Sequence, residues 1–463
     1  MDRYAVLFLT AIAISSVPLA QAVNDLTYDH CTADAGIRGD VPIQDLPDNS
    51  MQKICPGRKA DETEPLGQPM CGDGGSYSFY FTKPNVSFAN EEKLLIEVQG
   101  GGACWDTATC AERSNFLSMP TDDFDNFIGL SCTAIQNLLE SPFLGGIDIT
   151  ALCAQQIGNV NLSTYNAIII PYCTQDIHIG DQIMDYESSE NTGNQVVAHH
   201  GGHNIMATLD WVIQNFPNLK YIDITGCSAG GTALPFVYDL LNKHYNNNNI
   251  ATSEEKNWRV SINVIMDSAV FLTPEPFLKN YFGNWNPETM IVMTGFDFEQ
   301  FQYDPDYATK LTEHILQTVG DNQWGLVTHE KDPVSLSFWQ EMGGVGNIDD
   351  WWSEMSASLE VWKESSDNFD TFLIPDAEEH CSFGLHYALE TPGFDSWASE
   401  IWKEVEVGNG VNKAPTVAPS PVSNDPTADS NDSNEQSSSL SNFFDIFNVI
   451  VVTLVSVVCL IAT

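Results

Sequence analysis

Apolar positions along this chain fall into short runs separated by stretches of helical spacing. Leu94-Leu-Ile-Glu-Val98, Ala167-Ile-Ile-Ile-Pro171, Lys220–Thr225, Val260-Ser-Ile-Asn-Val-Ile-Met266, Gly325–His329 and Thr371–Pro375 read as strands. They are rich in β-branched residues and too short for helices. His203–Asn215 and Ala229–Tyr245 instead repeat their apolar residues every three or four positions, the period of a helix with one buried face. Strands alternating with helices predict an α/β architecture, a mostly parallel sheet with helices on both faces. In such sheets chemistry sits beyond the carboxyl ends of the strands.

The residues just past each strand are therefore the ones to inspect for chemistry. Lys220-Tyr-Ile-Asp-Ile-Thr runs into Gly226-Cys-Ser-Ala-Gly230 and then a small-residue helix start. Gly-x-Ser-x-Gly between a strand and a helix is a nucleophile elbow, a turn so tight that small residues must flank the serine. Ser228 is therefore the candidate nucleophile. A serine hydroxyl needs a base, and the base an orienting carboxylate. In α/β-hydrolases these come after the serine in the order acid, then histidine. Five histidines lie after Ser228: His244, His314, His329, His380 and His386. His244 and His314 fall in helical stretches. His380 comes just after the last strong strand, where a base belongs, with His329 and His386 as alternatives. For the acid, Asp332 lies just past the strand Gly325–His329 and is preferred over Asp267, which reads as a structural carboxylate at a strand end. The oxyanion site calls for the amide of Ala229 together with Gly101 and Gly102 of Gln99-Gly-Gly-Gly-Ala-Cys-Trp105, where glycine lets backbone approach the substrate. His200-Gly-Gly-His203 is a rival loop, placed less suitably because it directly precedes a helix. Three histidines within His199–His203 admit a zinc reading, but no H-E-x-x-H spacing supports it. No metal and no cofactor is expected.

Composition narrows the context. Of 463 residues, 18 are basic and 63 acidic, a net charge of −45. This argues against nucleic-acid binding, which needs a basic patch to displace counterions. It also weighs against tight electrostatic capture of an anionic polymer. Hydrophobic residues make up 43% and phenylalanines number 24, enough for a sizeable core.

Residues 1–22 read as a secretory signal peptide, with an apolar stretch from Tyr4 to about Ile14 and the small-x-small site Ala20-Gln-Ala22. The chain then enters an oxidising compartment, and its 11 cysteines suit disulfides. Cys104 and Cys110 are spaced to close a small loop. Cys227, beside the serine, is a candidate to stay unpaired. Residues 23–412 read as one continuous globular region, 413–445 as a disordered Pro/Ser/Asn-rich stalk, and 446–463 as a hydrophobic tail. The tail is either a membrane anchor or a GPI-attachment signal, and the lack of Lys or Arg after it favours the latter. Contact with a membrane is expected only through that tail or anchor. Sequons at Asn85, Asn161 and Asn431 mark candidate glycosylation sites.

Gln99-Gly-Gly-Gly-Ala-Cys-Trp, Tyr172-Cys-Thr-Gln-Asp-Ile-His-Ile-Gly-Asp, Thr225-Gly-Cys-Ser-Ala-Gly-Gly, Met266-Asp-Ser-Ala-Val-Phe and Glu379-His-Cys together resemble the pectin acetylesterase family, which includes the Notum-type carboxylesterases. The resemblance spans roughly residues 70–400. It implies an α/β-hydrolase-like fold and a secreted, metal-free serine esterase. Its Ser-Asp-His triad would fall on Ser228, Asp332 and His380. The implied substrate is an O-acetyl group on an extracellular polysaccharide such as pectin, with a longer acyl chain on protein or lipid as the alternative. A surface binding protein without catalysis is the rival of another class. Plant members carry Asp-Gly after Tyr-Cys, where this chain has Thr174 and Gln175. They also carry Arg near His199–His203. These departures bear on the substrate pocket and leave the triad untouched.

Overall fold

The structure, a computed structural model, describes residues 26–403 except 28–30, 32–35, 48–50, 60–67, 85–91, 120–159, 188–194, 248–258, 376–378 and 382–390. The signal peptide, the stalk and the tail lie outside the described residues, as do Asn85, Asn431, Cys132, Cys153, Cys459 and His386.

The strands that position the site are β1 (Ile37–Arg38), β2 (Met51–Cys55), β3 (Phe79–Thr82), β4 (Lys93–Val98) and β5 (Asn166–Ile170). A hairpin, β6 (Gln182–Tyr186) and β7 (Gln195–His199), stands apart, and β8 (Tyr221–Cys227), β9 (Ser261–Asp267), β10 (Trp324–His329) and β11 (Phe369–Ile374) complete the set. Nine of these form one sheet in the order β11-β10-β9-β8-β4-β5-β3-β2-β1. The run from β11 to β5 is parallel throughout, and β3 is antiparallel to both its neighbours. The expected α/β-hydrolase-like sheet is thus present.

The six parallel strands include every run read from the sequence. Their near-continuous apolar character has a simple cause: both faces are covered, so both sets of alternating side chains are buried. Leu94, Ile96, Val98, Ile222, Ile224, Val264, Met266 and Leu326 enter the main core. Leu95, Ala167, Ile265, Val327 and Ile374 face the other way, against α6 (Phe394–Ile401). The main core is closed by α1 (Gly201–Asn215), α2 (Ala229–Asn242), α3 (Tyr307–Leu316) and α5 (Ile348–Ser365). Trp211 of α1 stands edge-on to Phe79 and Phe81 of β3 and donates from its indole to Gly39 O at 3.0 Å. Burying an aromatic side chain of this size contributes about 2 to 3 kcal/mol. The expected helix Ala229–Tyr245 ends as α at Asn242 and continues as a π-type turn over Lys243–Asn247. β1, β2 and β3 escaped the sequence reading. β1 and β2 are short or half polar, and the aromatic run of β3, Phe79-Tyr-Phe, is only three residues long.

Candidate active site

β8 delivers its last residue, Cys227, into a turn where Ser228 has φ 53° and ψ −125°. That left-handed backbone is unusual for a residue with a Cβ. It is held from both sides: Ser228 N donates to Asp267 O of β9 at 2.9 Å, and Thr232 N donates to Ser228 O at 2.9 Å. Close packing explains the small neighbours. A Cβ on Gly230 would lie 2.0 Å from Val98 O of β4. The Ser228 side chain does not cap α2. It faces a cavity instead, one that Ala229 and Gly102 also line.

Asp332 is fully buried at the N-cap of α4 (Pro333–Glu341). Its Oδ1 accepts from Val334 N and Ser335 N, and its Oδ2 accepts from the Ser335 hydroxyl at 2.8 Å. The same Oδ2 lies 2.7 Å from His380 Nδ1. The His380 side chain is 15% exposed. Burial pushes its pKa down, but the charge and hydrogen bond of Asp332 and the charge of Asp267 outweigh this, so its pKa lies above the usual 6.5. His380 Nε2 is buried without a hydrogen-bond partner among the described residues, and His380 lines the same cavity as Ser228. Ser228, His380, Ala229 and Gly102 therefore meet at one cavity, and Asp332 sits behind the imidazole. Gly101 is not among the lining residues; its carbonyl accepts from Gln175 Nε2 at 2.9 Å.

Of the alternatives, Asp267 and His329 lie near the His380–Asp332 pair without the contact between them, and His386 lies outside the described residues. His329 is buried at the end of β10, and burial lowers its pKa. Asp267 ends β9 and accepts from the Ser268 hydroxyl at 3.1 Å. Gly201 and Gly202 begin α1 beneath Asp176, away from the cavity lining. The histidines near them are engaged in the fold. His199 contacts Tyr186 OH and Thr174 O, His200 Nδ1 contacts Gln68 O, and His203 Nε2 pairs with Asp181.

Several contributors carried no assignment from the sequence. The loop from Tyr172 to Asp181 braces the glycine-rich loop. His178 Nε2 lies 2.8 Å from Gln99 O, and Cys104 N donates to Gln175 O. Gln175, Ile177 and His178 all take positive φ, which no local pattern announced. The cavity, about 60 Å³, is lined mainly by apolar side chains, among them Trp105, Phe271, Phe338, Trp339, Met342 and Trp351. A second cavity of about 20 Å³ lies behind it and shares Ile177, Thr232 and Phe271 as a wall. Four disulfides are present among the described residues: Cys31–Cys55, Cys71–Cys173, Cys104–Cys110 and Cys227–Cys381. Cys104–Cys110 is the expected small loop. Cys227, the candidate free thiol, is instead bonded to Cys381, one residue beyond His380.

Residues 64–285 match the family model described as pectinacetylesterase. The chain is 27% identical to the palmitoleoyl-protein carboxylesterase Notum of Schmidtea mediterranea over 235 residues, covering 47% of this chain and 38% of the relative. It is 25% identical to pectin acetylesterase 11 of Arabidopsis thaliana over 165 residues, 35% of this chain and 36% of that one. The chain thus spans under two fifths of the length of either relative. Among solved structures, the Wnt deacylase Notum from Drosophila is similar with a TM-score of 0.45 at 15% identity, covering 76% of this chain and 95% of that one. The glycine-rich loop, the bracing loop and the serine elbow all fall inside the segment that matches the pectinacetylesterase family model.

Proposed function

We propose that this chain is a serine carboxylic ester hydrolase of the secretory route that removes short acyl groups, with O-acetyl esters of an extracellular polysaccharide as its substrate class. Ser228 Oγ attacks the ester carbonyl while its proton passes to His380 Nε2. Asp332 orients the imidazole and offsets the positive charge it gains. The amides of Gly102 and Ala229, which line the cavity with Ser228, receive the negative charge that develops on the carbonyl oxygen. As the C–O bond breaks, His380 returns the proton to the departing alcohol. Water then attacks the acyl-serine by the same route in reverse and releases the acid.

The observation that carries this reading is the imidazole itself. Its Nδ1 is tied to a buried carboxylate, and its Nε2 is unpartnered among the described residues, at a cavity that Ser228 lines. The cavity's size supports a short acyl group: about 60 Å³ is well below the roughly 150 Å³ of a dry cavity that holds benzene. The second cavity behind the shared wall favours an alternative, a longer acyl chain on protein or lipid. The four disulfides support an oxidising compartment.

A fluorophosphonate probe should label the wild type and leave Ser228→Ala unlabelled. Acetate release from a panel of acetylated glycans should disappear in the same variant. A wild type that neither takes the label nor releases acid from any ester would favour a binding protein.

A further inference from the structure

Ser228 and His380 belong to strands that do not touch. β8 and β11 are separated in the sheet by β9 and β10. At about 4.8 Å between neighbouring strands, three intervals set their ends on the order of 14 Å apart. A proton passes between hydrogen-bonded atoms only about 3 Å apart. The chain after β11 must therefore travel back over two strand ends before His380 can serve Ser228. The described segment Glu379–Cys381 meets each strand end in turn. His380 Nδ1 is bonded to Asp332, beyond β10. Cys381 N donates to the Ser268 hydroxyl, beyond β9, at 3.1 Å. Cys381 Sγ is bonded to Cys227, the last residue of β8. The two half-cystines are the immediate neighbours of the two residues whose side chains must meet, across a sequence separation of 154. Their Cα atoms are 5.6 Å apart. Cys381 has φ 65° and Ser268 φ 48°, conformations that a residue with a Cβ leaves unless it is held.

We infer that the Cys227–Cys381 disulfide is a positioning clamp for the reaction, holding the His380 imidazole over the Ser228 hydroxyl. The inference rests on the serine-esterase reading above. It assigns the bond a task beyond stability. Among the described residues, the hydrogen bonds of this segment reach the ends of β9 and β10, and the clamp ties it to the strand that carries the nucleophile.

The test uses the full chain with Cys227→Ala and Cys381→Ala together. The measurements are kcat and KM on p-nitrophenyl acetate, the rate of fluorophosphonate labelling, and the melting temperature. Cys31→Ala with Cys55→Ala, a bridge at the far end of the sheet, controls for stability alone. Loss of the clamp should lower kcat about 10²-fold, the scale set by misplacing a reacting group by an ångström, with KM within about twofold. Labelling should slow in step. The remote pair should lower the melting temperature and leave kcat in place. A folded clamp-free variant with wild-type kcat overturns the inference. Full activity in Ser228→Ala would instead sink the esterase mechanism on which it stands.

Should the clamp-free variant not fold, the native enzyme is treated with dithiothreitol, which leaves two thiols per bond opened and is itself oxidised to its cyclic disulfide. Alkylation and mass spectrometry then report which bond opened. Activity that falls as the 227–381 bond opens and returns on reoxidation supports the clamp. Undiminished activity with that bond open overturns it.

Discussion

At the scale of the residue, His380 is drawn in opposite directions. Burial opposes its charge, and the Asp332 carboxylate, helped by Asp267, more than restores it, which leaves the pKa raised. A base must be neutral to accept the serine proton, so activity should fall as pH drops through this raised value, with its acid limb above 6.5. The stability linkage has the opposite sign. Folding favours the protonated ring, so that contribution is full below the unfolded value of 6.5 and is lost as pH rises through the folded one. Asp332→Asn removes the dominant raising influence. The acid limb of kcat/KM should then move to lower pH, and kcat should fall by about 10⁴-fold, as when other triads lose their carboxylate. An acid limb that stays in place would mean that Asp332 does not govern the imidazole. Ser228 was legible in the sequence because an elbow is a local pattern. Asp332 and His380 could be proposed only by their order after strands, with His329 and Asp267 left as rivals. The 2.7 Å contact between groups 48 residues apart favours the Asp332–His380 pair in the proposed mechanism, and a linear reading contains no such distance.

At the scale of the element, the site is a junction of loops on strand ends, each held by another. The Tyr172–Asp181 loop supports the glycine-rich loop through Gln175 and His178, and its Ile177 reaches the cavity. Polar side chains that satisfy buried backbone carbonyls look, in a sequence, like any solvated loop, so this element's purpose was not legible. The cavity wall is likewise assembled from distant pieces. Thr232 comes from the first turn of α2, Phe271 from the loop after β9, and Ile177 from the bracing loop. Phe271→Ala should join the two cavities and extend activity on p-nitrophenyl esters from short chains toward hexanoate and octanoate. An unchanged chain-length profile would show that the wall does not limit the acyl group.

At the scale of the whole molecule, covalent links tie distant parts of the sheet together. Cys71–Cys173 closes a sequence separation of 102, and the chain-entropy argument gives such a loop about 4 to 5 kcal/mol. Cys71→Ala with Cys173→Ala should lower stability by an amount of that order in reversible denaturation, and a loss under about 1 kcal/mol would mean that the unfolded chain is already constrained there. The 11 cysteines of a chain read as secreted pointed to bridges. Pairing, however, depends on which strand ends are neighbours, and only the folded sheet supplies that.

By itself the sequence determined what depends on near neighbours along the chain: the apolar strands of the parallel sheet, two of the helices that cover them, and the serine turn. Tertiary structure decided what depends on strand order: which carboxylate faces which imidazole, which cysteines meet, and how large a cavity the aromatic side chains leave. Periodicity and tight turns act over a few bonds and leave a pattern in the residues. Contacts between elements 48 to 154 residues apart arise only after the sheet has closed.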